Sequence, residues 1–249
     1  MPATPAWPPK SAPRLFVSQI LAEGAVVTIQ GPQAHYLARV MRVAAGDAVV
    51  LCDDVTGEWA ARVAEAGKRD VVLAVEAMLR PREEVPDFTL CAALLKKDRF
   101  DLVLEKATEL GVRCIQPVLT RRCVADKLNL DRARSAIVEA AEQCARTALP
   151  VLAEPVRLDA LLRSMEPGRT LFFADESGGA PIAASFAAQH GPAALLVGPE
   201  GGFDDAERAA VRGHRQARAI SLGPRILRAE TAAISATAVW MALAGDWRN

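Results

Sequence analysis

Apolar positions along the chain fall into two textures. From Arg14 to about Leu79 they come in short, partly alternating runs separated by turn residues. Ala25–Ile29 is β-branched and ends at a turn, Gly31-Pro32. Ala48–Cys52 and Glu58–Val63 flank Asp53-Asp54-Val55-Thr56-Gly57, which predicts a hairpin. Val71–Leu79 predicts another strand. Between them His35–Val43 has helical spacing, with Leu37, Val40 and Met41 on one face and Arg39 and Arg42 on another. Short strands with turns every ten or so residues predict a compact barrel over 14–80. The Pro-rich lead, 1–13, has no apolar partner and is expected to be disordered. Pro81 and Pro86, with charges between them, mark a linker over 81–87.

From Phe88 to the end, 88–249, the texture changes. Phe88–Lys96 is a continuous apolar run, as expected of a strand buried on both faces. Asp98 is placed to cap a following helix whose face is Phe100, Val103, Ala107 and Leu110, closed by Gly111. After a strand over Arg113–Leu119 and a basic loop, Asp131 is placed to start a helix. Its Ala133, Ala136, Ile137, Ala140, Ala141 and Cys144 follow the helical template. Strands over Thr170–Ala174, Ala193–Val197 and Ala219–Leu222 alternate with helices near Leu158, Pro181 and Asp204 and a last helix from about Glu230 to Leu243. That alternation predicts an α/β fold with a mostly parallel sheet, whose ligands sit beyond the carboxyl ends of the strands.

Composition narrows the picture only slightly. Thirty basic residues balance thirty acidic ones, so net charge is silent about nucleic acid. No apolar run reaches the ~20 residues needed to span a membrane, no signal peptide is expected, and the cysteine pattern is read as that of a cytoplasmic protein. The five cysteines contain no C-x-x-C pair and are read as reduced, mostly buried thiols. Histidines and cysteines are scattered, so no metal is expected.

Two loops carry the candidate chemistry. Gly198-Pro199-Glu200-Gly201-Gly202 lies between a strand and a helix, but is neither a P-loop nor a dinucleotide fingerprint. Glu200 there would repel a phosphate, so the loop suits an uncharged or cationic ligand, or is a tight structural turn. In Leu222-Gly223-Pro224-Arg225-Ile226-Leu227-Arg228, two apolar residues sit in a loop, where they suit a flat apolar group such as adenine. Arg228 and Glu230 then flank a helix start that Thr231 can help cap, unless they form a structural ion pair.

GPEGGF and LGPRILRAETA together resemble the signature of the RsmE-type family, SPOUT-class methyltransferases that methylate N3 of a uridine in small-subunit (16S) ribosomal RNA. Three further blocks are similar to that family: RLFV at Arg14 with HYLARVMRVAAGD from His35, KKDRFDLVLEKATELGV from Lys96, and EAAEQCARTALP from Glu139. The Pro-rich lead is extra, and Tyr36 stands where a second histidine is often seen.

The resemblance implies a PUA-like RNA-binding barrel followed by a SPOUT α/β domain with a deep trefoil knot, in a homodimer; the apolar last helix (Ala232, Ile234, Val239, Trp240, Leu243) either supplies part of the interface or is an ordinary core helix. It implies S-adenosylmethionine held by three loops: one after Phe173-Ala174-Asp175-Glu176, with Phe173, Ala174 and Asp175 as contacts; one of Gly198, Pro199, Glu200, Gly201 and Gly202; and one of Leu222, Gly223, Ile226, Leu227 and Arg228, with Thr231 behind them. Arg228 is the expected catalytic cation beside the uracil oxygens, with Glu200 as its proton-accepting or supporting partner. Arg14, Arg39, Arg42, Lys96, Lys97, Arg99, Arg121 and Arg122 are the candidate RNA contacts. Alternatives are a SPOUT enzyme acting on another RNA position, such as ribose 2′-O, and a non-catalytic RNA-binding assembly factor.

Overall fold

The computed structural model describes residues 7–67 and 69–248. The chain forms two compact units, one of residues 1–84 and 141–148 and one of 85–140 and 149–249.

In the first unit, β1 (Arg14–Phe16), β2 (Val26–Gln30), β3 (Ala48–Cys52), β4 (Gly57–Ala66) and β5 (Asp70–Pro81) form one sheet in the order β1-β3-β4-β5-β2. β1 runs parallel to β3, and the other pairs are antiparallel. β2 shows the expected period of two: Val27 and Ile29 point into the core and Val26, Thr28 and Gln30 out. Register shifts along β4 and β5 curve this long pair around Leu15, Leu37, Leu51 and Leu73, all at most 2% exposed. The β3–β4 hairpin turns on Asp53. Its carboxylate accepts hydrogen bonds from the backbone N–H groups of Leu21, Val55 and Thr56 and from the Thr56 hydroxyl, at 2.7–2.9 Å. Burial pushes the Asp53 carboxyl up, but these donors outweigh it and hold its pKa at about 2. Buried Glu58 on β4 sits between Arg14 and Arg80, both at 2.6 Å. Residues 141–148 complete this unit: Glu142 Oε1 accepts from Phe16 N–H at 2.8 Å, and Glu83 Oε1 from Thr147 N–H at 2.8 Å.

Three local expectations are corrected here. Gly31 and Pro32 do not make a turn; they open the short helix α1 (Gly31–His35), where proline suits the first helical positions. The helical segment after it is π-helical over Tyr36–Met41 and stops at Arg42 in the left-handed region, φ 55°. The wider winding keeps Leu37 fully buried, and Val43 N–H reaches back to Leu37 C=O. Of the lead expected to be disordered, residues 1–6 lie outside the described residues. Trp7, however, donates its indole N–H to Glu76 at 2.9 Å and stacks 3.9 Å from the Arg62 guanidinium.

The second unit is a parallel sheet with helices on it. Its strands are β6 (Phe88–Ala93), β7 (Cys114–Leu119), β8 (Val151–Leu152), β9 (Val156–Arg157), β10 (Thr170–Ala174), β11 (Ala180–Pro181), β12 (Ala193–Val197) and β13 (Ala217–Ser221). The order is β11-β13-β10-β12-β6-β7-β8, with β9 also on β7. From the central β6 the chain builds one side, then returns to the other side of β6 for β10, β12 and β13. At such a reversal the loops beyond the strands splay and leave a crevice. Central strands are buried on both faces, so β12 reads Ala-Ala-Leu-Leu-Val with every residue buried.

Helices α2 (Lys97–Glu109), α3 (Leu130–Cys144), α4 (Leu158–Arg163), α5 (Ile182–Ala187), α6 (Asp205–Gly213) and α7 (Ala229–Leu243) complete the fold. Asp98 lies inside the first turn of α2, whose N-cap is Lys96, so it favours the helix by charge and not as a cap. Asn129, two residues before Asp131, caps α3 by accepting from Arg132 N–H at 3.0 Å. α7 is a core helix along Ala232, Ala233, Ala236 and Met241, and its Trp240 stacks on Phe88 at 4.1 Å between ring centroids. Burial pushes the Cys52 and Cys91 thiols up to about 12, leaving them neutral and inert at ordinary pH.

Candidate active site

Three consecutive loops meet beyond adjacent strand ends. They are the segment after β10 (Asp175–Gly179), the one after β12 (Gly198–Asp204) and the one after β13 (Leu222–Arg228), and they frame a cavity of about 340 Å³. Its floor is apolar, with Val197, Ile220, Leu227 and Ala232, while Glu176, Glu200, Arg208, Arg225 and Arg228 provide charge.

The glycines are placed where side chains would not fit. A Cβ on Gly198 would lie 2.7 Å from the Phe203 ring, which is itself buried and set edge-on against Phe173 at 5.1 Å. Gly202 has φ +66°, and a Cβ there would meet a Glu176 carboxylate oxygen at 2.9 Å. Gly202 N–H closes the turn on Pro199 C=O at 2.9 Å. Asp204 then caps α6 with a full capping box: it accepts from Glu207 N–H at 2.7 Å, and Glu207 accepts from Asp204 N–H at 3.2 Å. The Glu207 backbone bond and the Arg121 side chain together hold the Asp204 carboxyl below its ordinary range.

Electrostatically, the first loop is tied to α6. Asp175, buried, binds Arg212 at 2.6 Å and Arg208 at 3.3 Å, and Arg208 reaches Glu176 at 2.8 Å. Hydrogen bonding to Glu176 raises the Arg208 guanidinium above its ordinary range. The loop after β7 lies across the glycine turn: Arg121 binds Asp204 at 2.9 Å, and Arg122 donates to Gly201 C=O at 3.0 Å.

The structure brings most of the expected ligand residues together. Ala174, Asp175, Gly198, Pro199, Glu200, Gly202, Leu222, Gly223, Ile226, Leu227 and Arg228 all line the cavity. Phe173, Gly201 and Thr231 do not: Phe173 is fully buried under the loop, Gly201 turns toward Arg122, and Thr231 lies exposed on α7. Asp175 is committed to two arginines, so its carboxylate supports the wall. Ile226 is 88% exposed, whereas Leu227 packs on the core. The suggested Arg228–Glu230 ion pair is absent; buried Glu230 binds Arg99 at 3.0 Å. Among the described residues Arg228 has no ion-pair partner, and it is the N-cap residue of α7.

Of the candidate RNA cations, Arg14, Arg99 and Arg121 are held by Glu58, Glu230 and Asp204, and Arg122 donates to Gly201. Arg39, Arg42, Lys96 and Lys97 are exposed and make no ion pair among the described residues. Arg208 is a wall residue that sequence reasoning missed, and the sequence places Glu176 beside the first ligand loop without a role of its own. They are 32 residues apart, and only the pairing of their elements joins them. Among the described residues no group of three His, Cys, Asp or Glu side chains could hold a metal ion, and no helix is long and apolar enough to cross a membrane.

This arrangement, a small β unit and a parallel sheet with a three-loop cleft, is that of an RNA methyltransferase. Residues 82–241 match the RNA methyltransferase domain family, and residues 29–76 match the RNA methyltransferase PUA domain. The chain is 33% identical over 227 residues to the ribosomal RNA small subunit methyltransferase E of a Synechocystis species, covering 88% of this chain and 74% of the relative. It is 31% identical over 243 residues to that of Mycobacterium tuberculosis, covering 93% and 92%. Among solved structures, the ribosomal RNA small subunit methyltransferase E of Neisseria gonorrhoeae bound to S-adenosylmethionine superposes with a TM-score of 0.87 at 27% identity, covering 95% of this chain and 99% of that one. The chain belongs to the ribosomal RNA small subunit methyltransferase E family.

Proposed function

We propose that this protein transfers a methyl group from S-adenosylmethionine to N3 of a uridine in 16S ribosomal RNA. The observation that carries this reading is the cleft: three glycine-bearing loops beyond the carboxyl ends of β10, β12 and β13, with an apolar floor, carboxylates on the rim and no phosphate cradle. That surface suits a nucleoside bearing a cation. The Neisseria relative is bound to the same cofactor.

When bound, the cofactor supplies an electrophilic methyl group on a sulfonium. The chain contributes position. Val197, Ile220 and Leu227 offer apolar contact to the adenine, and the open backbone at Gly198 and Gly202 lets the nucleoside approach closely. In-line displacement depends mainly on such alignment. N3 of uridine must lose its proton, and the charge spreads to O2 and O4. Arg228, exposed on the cleft rim and free of an ion pair among the described residues, stabilises that charge. Glu200, also exposed on the rim, receives the proton or orients Arg228. Arg39, Arg42, Lys96 and Lys97 contribute phosphate contacts. The deep trefoil knot, the homodimer and a cytoplasmic location belong to the same reading.

Methylation of a ribose 2′-O instead would need no cation beside uracil oxygens, and the match to the methyltransferase PUA domain favours the small-subunit reading over it. Calorimetric titration with S-adenosylmethionine, followed by methyl transfer to unmodified small-subunit RNA, tests the proposal. Binding without transfer would leave a non-catalytic RNA-binding factor.

A further inference from the structure

We propose that Glu176 is the ribose-reading residue of the cleft, accepting hydrogen bonds from the 2′- and 3′-hydroxyls of the bound nucleoside, and that Arg208 is its positioning residue. This rests on the reading of the cleft as a site for S-adenosylmethionine.

The argument begins with topology. β10 and β12 are adjacent parallel strands, with Phe173 paired to Leu196. The glycine turn leaves the end of β12, and Glu176 leaves the end of β10, the next strand. In dinucleotide-binding sheets a glycine turn admits the nucleoside and an acid beyond a neighbouring strand meets the ribose hydroxyls; Glu176 takes the corresponding place here without that fingerprint. Nothing in the GPEGG sequence announces this, because the acid lies on a different strand.

Geometry then places the carboxylate. Glu176 Oε1 lies 2.9 Å from where a Cβ on Gly202 would sit, so the acid rests against the turn that only glycine allows there. The same oxygen accepts from Arg208 Nη2 at 2.8 Å. Oε2 has no hydrogen-bond partner among the described residues, and the side chain is about half exposed on the cavity wall. A carboxylate on a cavity wall with one oxygen anchored and the other unpaired among the described residues is pre-set to accept from a hydroxyl.

Arg208 is in turn held from below. Its guanidinium meets buried Asp175 at 3.3 Å, and Arg212 binds the other Asp175 oxygen at 2.6 Å. Charges alternate along Arg212, Asp175, Arg208 and Glu176, with Asp175 the buried member. Glu176 therefore enters the cleft with its rotamer already chosen, which lowers the entropy cost of ligand binding.

The test compares S-adenosylhomocysteine with its 2′-deoxy and 3′-deoxy analogues by calorimetry on the full chain, for wild type and Glu176→Gln. Thermal melts check that both variants used are folded. Wild type is expected to bind the parent about tenfold more tightly than at least one deoxy analogue, the worth of a hydrogen bond to a charged acceptor. In E176Q that preference falls to near unity. Equal binding of all three ligands by wild type overturns the proposal, as does a preference that survives in E176Q. Failure of wild type to bind S-adenosylhomocysteine at all would instead refute the cofactor reading. Arg208→Gln is expected to weaken binding in the wild-type background but to cost little more in the E176Q background. Fully additive losses would show that Arg208 serves only the fold.

Discussion

Gly198 lies so close to Phe203 that a single added Cβ would come within 2.7 Å of the ring. Phe203 cannot retreat, because it is 4% exposed and braced edge-on by Phe173. Gly198→Ala is therefore expected to push the glycine turn out of place, at a cost of about 1–3 kcal/mol in stability and a loss of at least tenfold in cofactor affinity. Phe203→Leu in the same chain should recover part of the affinity. Calorimetry and thermal melts on the single and double variants check this.

Arg228 stands apart from the ion-pair network, so its removal leaves no buried partner charge. Arg228→Ala is expected to lower turnover by about 10²–10³-fold, as for loss of one donor to a developing anion, while cofactor affinity stays within a few-fold of wild type. Single-turnover kinetics beside calorimetry separate the two. Lost affinity with intact turnover would remove Arg228 from the chemistry.

Candidate RNA cations that look alike in sequence are expected to behave differently. Arg99 binds Glu230, which is 4% exposed, so Arg99→Ala strands a buried carboxylate at the start of α7. The loss is expected at about 1–3 kcal/mol, softened by the helix dipole and the half-exposed arginine. Lys96, Lys97, Arg39 and Arg42 carry no such duty. Their neutral variants should melt near wild type, and each should lower the slope of log affinity for RNA against log salt by just under 1. Filter binding across a salt series reads that slope.

Acid sensitivity of the barrel unit is tied to Asp53. Its folded pKa of about 2 lies below the ordinary carboxylate value near 3.9. Depression of a carboxyl means that its contribution is complete above about pH 4 and fades as pH falls toward 2. Asp53→Asn is expected to cost about 2 kcal/mol at pH 7 and progressively less below pH 4. Urea melts at pH 7, 4 and 3 measure the difference between the curves.

Local chemistry was the legible part of this chain. Runs such as Ala193–Val197 read as doubly buried strands because burial on both faces removes alternation. The two Gly-Pro loops read as a ligand site because backbone freedom is written in residue type. Alternation of strand and helix gave the parallel sheet, though not its strand order. What stayed hidden depended on contacts distant in sequence. Glu176 and Arg208 meet only because β10, β13 and α6 pack together. Arg99 looks like a free RNA cation until α2 and α7 are side by side and Glu230 takes it. The π-helical turn after His35 was hidden for a different reason, since residue type does not separate its wider winding from the α-helical spacing the sequence also fits.

The central claim is tested most directly at the nucleoside level. The protein is incubated with methyl-labelled S-adenosylmethionine and small-subunit RNA that lacks the modification, the RNA is digested, and the labelled nucleosides are separated and weighed by mass spectrometry. A single labelled product, 3-methyluridine, is the predicted result, absent with Arg228→Ala. Label in a 2′-O-methylated nucleoside, or none despite measured cofactor binding, would contradict the account.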